Sequence, residues 1–136
     1  MKKIEKIEKY LKSLYFGDRW CENVIYKNDN FIIQVNLISK LEEGEEKWNF
    51  YSEEDIEHGL LVFTEVERID YDKNLVLNDE IYEIEVVGEE NGKFLFVVYG
   101  CHIYDDASSI DVKISVKAKD FMVVDPKNLD YKLIDI

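Results

Sequence analysis

The chain is poor in the residues that most often mark boundaries or carry chemistry. One proline, Pro126, stands among 136 residues, and no repeat, low-complexity tract or linker divides the sequence. A single domain over 1–136 is therefore expected, a length at which one core buries roughly two-thirds of the unfolded surface. Two cysteines, Cys21 and Cys101, form no CxxC, and His58 and His102 are the only histidines. That supply excludes a disulfide framework and a standard zinc site; the thiols are expected to be reduced and structural, and no cofactor is expected. No apolar run approaches the roughly 18 residues that span a bilayer, and the opening MKKIEKIEKYLKSLYF lacks the uninterrupted apolar centre of a signal peptide. A cytoplasmic protein without a membrane partner is the expectation. Basic residues are also scarce, 17 against 30 acidic ones, for a net charge of -13. Phosphate binding relies on Lys and Arg releasing counterions, so nucleic acid and anionic membrane are disfavoured as partners. Walker, GxGxxG, HExxH and nucleic-acid-binding signatures are all missing.

What remains is enough to fold. Hydrophobic residues make up 46% of the chain and aromatic residues 13%, outside the disordered, charge-dominated class. Ile4, Ile7, Leu11 and Leu14 recur at the spacing of one helical face, predicting an amphipathic helix that stops near Gly17. From Asn23 to Ser39 the pattern predicts two strands around a turn at Lys27 to Asn30. Phe31, Ile33, Val35 and Leu37 share one face and Ile32 and Ile38 lie on the mixed opposite face, as in a central strand. Ser52 with Asp55 resembles an N-cap, so SEEDIEHG predicts a short helical turn closed by Gly59. Four strand-like stretches follow: 60–71, 80–90 with a bulge, 93–104 and 110–124. Asn91-Gly92 predicts a type I′ hairpin turn, 105–109 a loop, and Pro126 the end of the last strand. The fold class expected is α+β, an N-terminal amphipathic helix packed on a mainly antiparallel sheet of about six strands.

The stretch LEEGEEKWNFYSEEDIEHG, 41–59, holds eight carboxylates among Trp48, Phe50 and Tyr51. General acid catalysis needs a carboxyl raised by burial or by a close like charge, whereas abundant acids in a glycine-containing loop read as solvent-facing. Asp70, Asp72 and Asn74 match the first ligand positions of a calcium loop, but Leu75 stands where glycine is needed and Ile81 where the closing Glu belongs. Cys101 and His102 are adjacent in a strand and point to opposite faces, which excludes a direct nucleophile and base pair. Asp18, Arg19 and Trp20 are expected to form a helix-to-strand corner held by a local ion pair. Trp48, Phe50 and Tyr51 fit core packing as well as an exposed role.

YLKSLYFGDRWC (10–21), NLIS (36–39), KWNFYSEEDIEHGLLVF (47–63) and DYDKNLVLNDEIYEIEV (70–86) resemble a family of small uncharacterised bacterial proteins, a domain of unknown function. The front end also resembles immunity proteins of polymorphic toxin systems, although the HD-type pair of some of those is absent. The resemblance implies a non-catalytic protein that binds and neutralises a cognate toxin domain, a protein partner with a basic surface. The partner-binding residues would then be Glu42, Glu43, Glu45, Glu46, Trp48, Tyr51, Glu53, Glu54, Asp55 and Glu57, with acids steering and aromatic residues anchoring. The alternatives are a small enzyme using surface-cleft carboxylates and a self-associating subunit.

Overall fold

The computed structural model describes residues 2–40 and 55–127. It begins with α1, Lys3–Lys12, which buries Ile7 and Leu11 and carries Glu5 in its first turn and Lys9 and Lys12 in its last, in keeping with the helix dipole. The helix stops before Gly17. Ser13 donates both its N–H and its hydroxyl to the Tyr10 carbonyl, at 3.0 and 2.6 Å, an alternative to continued helix that serine offers readily. Leu14–Tyr15 then form a strand, β1, in which Leu14 is still buried. Lys3 pairs with Asp120 at 3.2 Å, and the rings of Tyr10 and Phe121 lie 6.2 Å apart, anchoring α1 to the last strand.

After α1 the described residues form antiparallel β structure, and in place of the expected six strands there are eleven among them, in three sheets. β2 (Cys21–Lys27) and β3 (Asn30–Val35) are joined through Asn28 and Asp29, both at positive φ, a conformation these side chains tolerate. β4 (Leu37–Lys40) lies between β1 and β5 (Ile56–Glu57). SEEDIEHG is therefore not a helical turn over its described part: Ile56 and Glu57 pair with Ile38 and Leu37 as strand, and the pairing satisfies their backbone groups. Next come β6 (Leu60–Thr64), β7 (Arg68–Tyr71), β8 (Ile81–Glu90), β9 (Lys93–Ile103), β10 (Ser109–Ala118) and β11 (Asp120–Val124). The orders are β7-β10-β9-β8 and β11-β6-β3-β2.

The expected strands over 60–71 and 110–124 each bend into two. Glu65 turns at φ 46, and the corner is held by Glu67 N–H to the Lys117 carbonyl (2.8 Å) and Lys119 N–H to the Thr64 carbonyl (2.9 Å). At the opposite side Trp20 bridges Glu80, Cys21 N–H donates to the Asp79 carbonyl (2.8 Å) and Ile81 N–H to the Arg19 carbonyl (3.1 Å). The two four-stranded sheets are thus linked on both sides.

The main core lies between these sheets and under α1. Phe63 meets Phe31, Phe96 and Phe121 at centroid separations of 5.9, 5.1 and 5.0 Å. β3 is central, as expected, with Phe31, Ile33 and Val35 in this core and Ile32 in a second cluster with Leu60, Val62 and Val124. The alternation breaks after Val35, so Ile38 returns to the main core.

Asn91 and Gly92 join β8 to β9 with φ of 53° and 81°, the expected type I′ turn. A Cβ on Gly92 would meet nothing within 4 Å, so Gly92→Ala isolates the backbone cost of the left-handed conformation. It should lower the unfolding free energy by about 1 kcal/mol, read by urea titration; an unchanged midpoint would show that the turn relaxes at no cost.

Candidate functional site

Of the partner-binding residues expected from sequence, Glu42, Glu43, Glu45, Glu46, Trp48, Tyr51, Glu53 and Glu54 lie outside the described residues. Asp55 is half-buried, and Glu57 is exposed with its Oε2 3.6 Å from Lys127 Nζ. This end of the acidic segment is tied to the start of β2. The Asn36 carbonyl accepts His58 N–H (2.9 Å), Asn36 N–H donates to the Trp20 carbonyl (3.2 Å), and Asn36 Oδ1 accepts Trp20 N–H (2.9 Å). His58 Nδ1 lies 2.6 Å from Glu22 Oε1, and Gln34 Nε2 donates to the His58 carbonyl.

Trp20 is brought out by strand alternation. Cys21 is buried, so its neighbours Trp20 and Glu22 project the other way, and Trp20 is 48% exposed opposite Glu80. The corner before it is held through backbone oxygens in place of the local ion pair suggested by Asp18-Arg19. The Arg19 guanidinium, buried to 5% exposure, donates to the carbonyls of Gly17 (3.2 Å) and Asp18 (3.5 Å) and to Ser39 Oγ (3.0 Å). Its charge also lies 5.4 Å over the Tyr15 ring.

On the outer face of β9, Cys101 is covered by Tyr82 and Asp79. Its Sγ is 3.5 Å from Asp79 Oδ2, and the Tyr82 hydroxyl, which bonds the thiol, reaches Asp111 Oδ1 at 3.3 Å. Tyr82 owes its position to a register shift between Ile81 and Glu83, within the strand where a bulge was expected. The bond to Cys101, then burial and the Asp111 charge, hold the Tyr82 phenol protonated well above the ordinary range. His102 points away, as expected, with Nδ1 2.9 Å from the Val76 carbonyl and its ring against Tyr104.

Burial pushes the Cys21 thiol up to about 11 and raises Cys101 as well. A thiol must ionise to act as a nucleophile, so both should resist a disulfide reagent at about pH 8 in the native protein and react promptly once unfolded. Rapid native labelling would contradict the geometry. Because folding raises the Cys21 pKa, its contribution to stability is full below the unfolded value and is lost as pH rises through about 11.

The first two acids of the calcium-like segment, Asp70 and Asp72, are paired internally. Asp72 accepts Lys113 N–H (2.9 Å) and pairs with Lys73 (3.0 Å), and the first of these holds its carboxyl below the usual range. Asp70 pairs with Arg68 at 2.9 Å. Among the described residues, no group of three or more His, Cys, Asp or Glu could hold a metal. A groove of about 170 Å³ on the outer face of β7, β10, β9 and β8 is lined by Arg68, Val87, Leu95, Val97 and Lys117. It falls short of the roughly 300 Å³ of small-molecule sites. Lys117 within it is already bonded to Glu67 (2.8 Å) and Glu90 (3.1 Å).

The sequence pattern had marked the acidic end of the site but neither Trp20 nor Tyr82; the buried positions beside them, Cys21 and Ile81, were the available signal. No helix among the described residues is long and apolar enough to cross a membrane. No curated protein and no solved structure matches the chain. The pattern of a family of unknown function (DUF6258) matches residues 5–135, nearly the full length, and the chain belongs to that family.

Proposed function

We propose that this chain is a non-catalytic binding protein whose partner is a basic protein, and that its role is that of an immunity protein neutralising a cognate toxin domain. One observation supports the binding reading above others: a tryptophan 48% exposed, Trp20, is bridged to Glu80 and bonded through Asn36 to the backbone of His58, at the end of the acidic segment. Exposed tryptophan is among the commonest energetic anchors of interfaces. With a net charge of -13, attraction of a basic surface would raise the association rate by about 10- to 1,000-fold at low salt. Among the described residues, the thiols held protonated and the acids paired at Asp70 and Asp72 weigh against a nucleophile or an acid/base pair. The immunity role rests on the sequence resemblance.

Coexpression with the product of the neighbouring upstream gene tests it. Growth arrest caused by that product should be relieved, and the two proteins should co-purify as a 1:1 complex. Arrest that persists, or a neighbour without a toxic domain, sinks the immunity role. In the complex Trp20→Ala should cost about 2–3 kcal/mol, roughly 30- to 150-fold in Kd, while the free protein melts within about 2 °C of its parent. Exchanging Glu45, Glu46, Glu53 and Glu54 for Gln should slow association and flatten its salt dependence; unchanged kinetics would place the interface elsewhere.

A further inference from the structure

Where β2 meets β8, three large side chains from different strands face solvent. Trp20 lies opposite Glu80, Tyr82 stands two residues further along, and Ile103 follows Cys101 on the same outer face of β9. They are 48, 44 and 36% exposed. Ile103 is tied to the same segment, its N–H donating to Asn78 Oδ1 (2.8 Å) and its carbonyl accepting from Asn78 Nδ2 (3.2 Å). Three carboxylates are interleaved with them: Asp79 against the Cys101 thiol, Glu80 across from Trp20, and Asp111 under the Tyr82 hydroxyl. Lys73 Nζ bonds the Asp72 carboxylate and the Asp111 carbonyl, at 3.0 and 2.9 Å, and forms no ion pair with the Asp111 carboxylate.

We propose that this surface is where the basic partner docks, and that it takes an arginine-bearing segment of that protein. The proposal rests on the binding reading above and adds the site and its chemistry. Trp20 faces Glu80 across the bridge and Tyr82 follows Glu80 two residues along, so they offer two aromatic groups beside one carboxylate. A guanidinium is planar, stacks on aromatic faces and bonds carboxylates with two parallel N–H groups, which an ammonium cannot do. The other classes of partner fit less well. Nucleic acid and anionic lipid would bring phosphates against Asp79, Glu80 and Asp111. A second copy related by a two-fold axis would bring the same carboxylates against themselves.

The test is an NMR titration of the full chain, isotope-labelled, with hexa-arginine as the probe and hexa-citrulline as its uncharged isostere. Saturable shifts at the Trp20 indole N–H and at the amides of Tyr82 and Ile103, seen with arginine and not with citrulline, are the expected result. Trp20→Ala and Tyr82→Ala should each weaken binding by roughly tenfold, while Tyr82→Phe, which keeps the ring, should retain it. Shifts spread evenly over acidic positions, shifts confined to 41–57, or affinities indifferent to both alanine variants would overturn the site. Coexpression separates the two claims. A Trp20→Ala/Tyr82→Ala double variant that still relieves growth arrest refutes the site and leaves the immunity role. Arginine binding at this surface without relief refutes that role and leaves the site.

Discussion

Replacing Phe63 by alanine should lower the unfolding free energy by about 3–5 kcal/mol, a large share of the roughly 5–15 kcal/mol that holds a domain together. The ring is fully buried, and it is the point at which the two larger sheets meet. Along its own sheet Phe63 pairs with Phe31 of β3 on one side and Phe121 of β11 on the other. From the facing sheet Phe96 of β9 contributes an edge-to-face contact at 5.1 Å, a geometry worth a little more than the area it buries. Truncation removes the transfer energy of a phenyl group and leaves a cavity walled by three rings that are themselves tightly placed, so little collapse can offset it. Phe63→Leu, which fills most of that volume, should cost about 1–1.5 kcal/mol, and Val87→Ala, at a residue 57% exposed, should stay within about 0.5 kcal/mol. Urea titrations with a common slope measure all three. A loss below about 1 kcal/mol for the alanine variant would mean that the sheets are not packed through this ring.

Much of this core could be seen in advance, because burial on one face leaves a period in the sequence. The helix face of Ile4, Ile7 and Leu11 and the two-sided burial of β3 followed from spacing alone. The turns at Asn28-Asp29 and Asn91-Gly92 followed from side chains that tolerate positive φ. What spacing did not show were the places where the chain changes sheet. Glu65 adopts φ 46 with no glycine or proline beside it, because a long-range hydrogen bond, Val66 N–H to the Asp29 carbonyl, fixes the bend. His58, at φ 55, precedes Gly59, which reads as the close of a helical turn and not as a change of sheet, and its N–H is held by the Asn36 carbonyl. The same holds for the candidate site. Its acidic end is visible in composition, whereas Trp20, Tyr82 and Ile103 are far apart in sequence and are brought together by long-range backbone pairing at 79–81 and by the Asn78 contacts. Arg19, expected in a local ion pair with Asp18, is buried with its guanidinium donating to the Gly17 and Asp18 carbonyls and to Ser39 Oγ of β4.

The bridge that assembles the site depends on Gly100, and this gives the second large effect. A Cβ at Gly100 would lie 2.1 Å from Leu77 Cδ1 and 2.6 Å from the Glu80 carbonyl oxygen. Leu77 is only 2% exposed, so its side chain is enclosed by neighbours, and the Glu80 carbonyl is backbone already accepting the N–H of Cys101 at 2.9 Å. Gly100→Ala must therefore push the 77–81 segment off β9 and should cost about 2–3 kcal/mol; Gly100→Val, with two further methyl groups in the same gap, should cost about 4 kcal/mol. Gly88 is the control, since a Cβ there would meet only Leu95 Cδ1 at an ordinary 3.5 Å, and Gly88→Ala should be neutral to within about 0.5 kcal/mol. Displacing Glu80 also moves the residue that pairs with Trp20 and the carbonyl that pairs with Cys101. Gly100→Ala should accordingly lose binding to hexa-arginine even at temperatures where it remains folded, while Gly88→Ala keeps it. A folded Gly100→Ala variant that binds as tightly as its parent would show that the surface at Trp20, Tyr82 and Ile103 does not depend on the β2 to β8 closure.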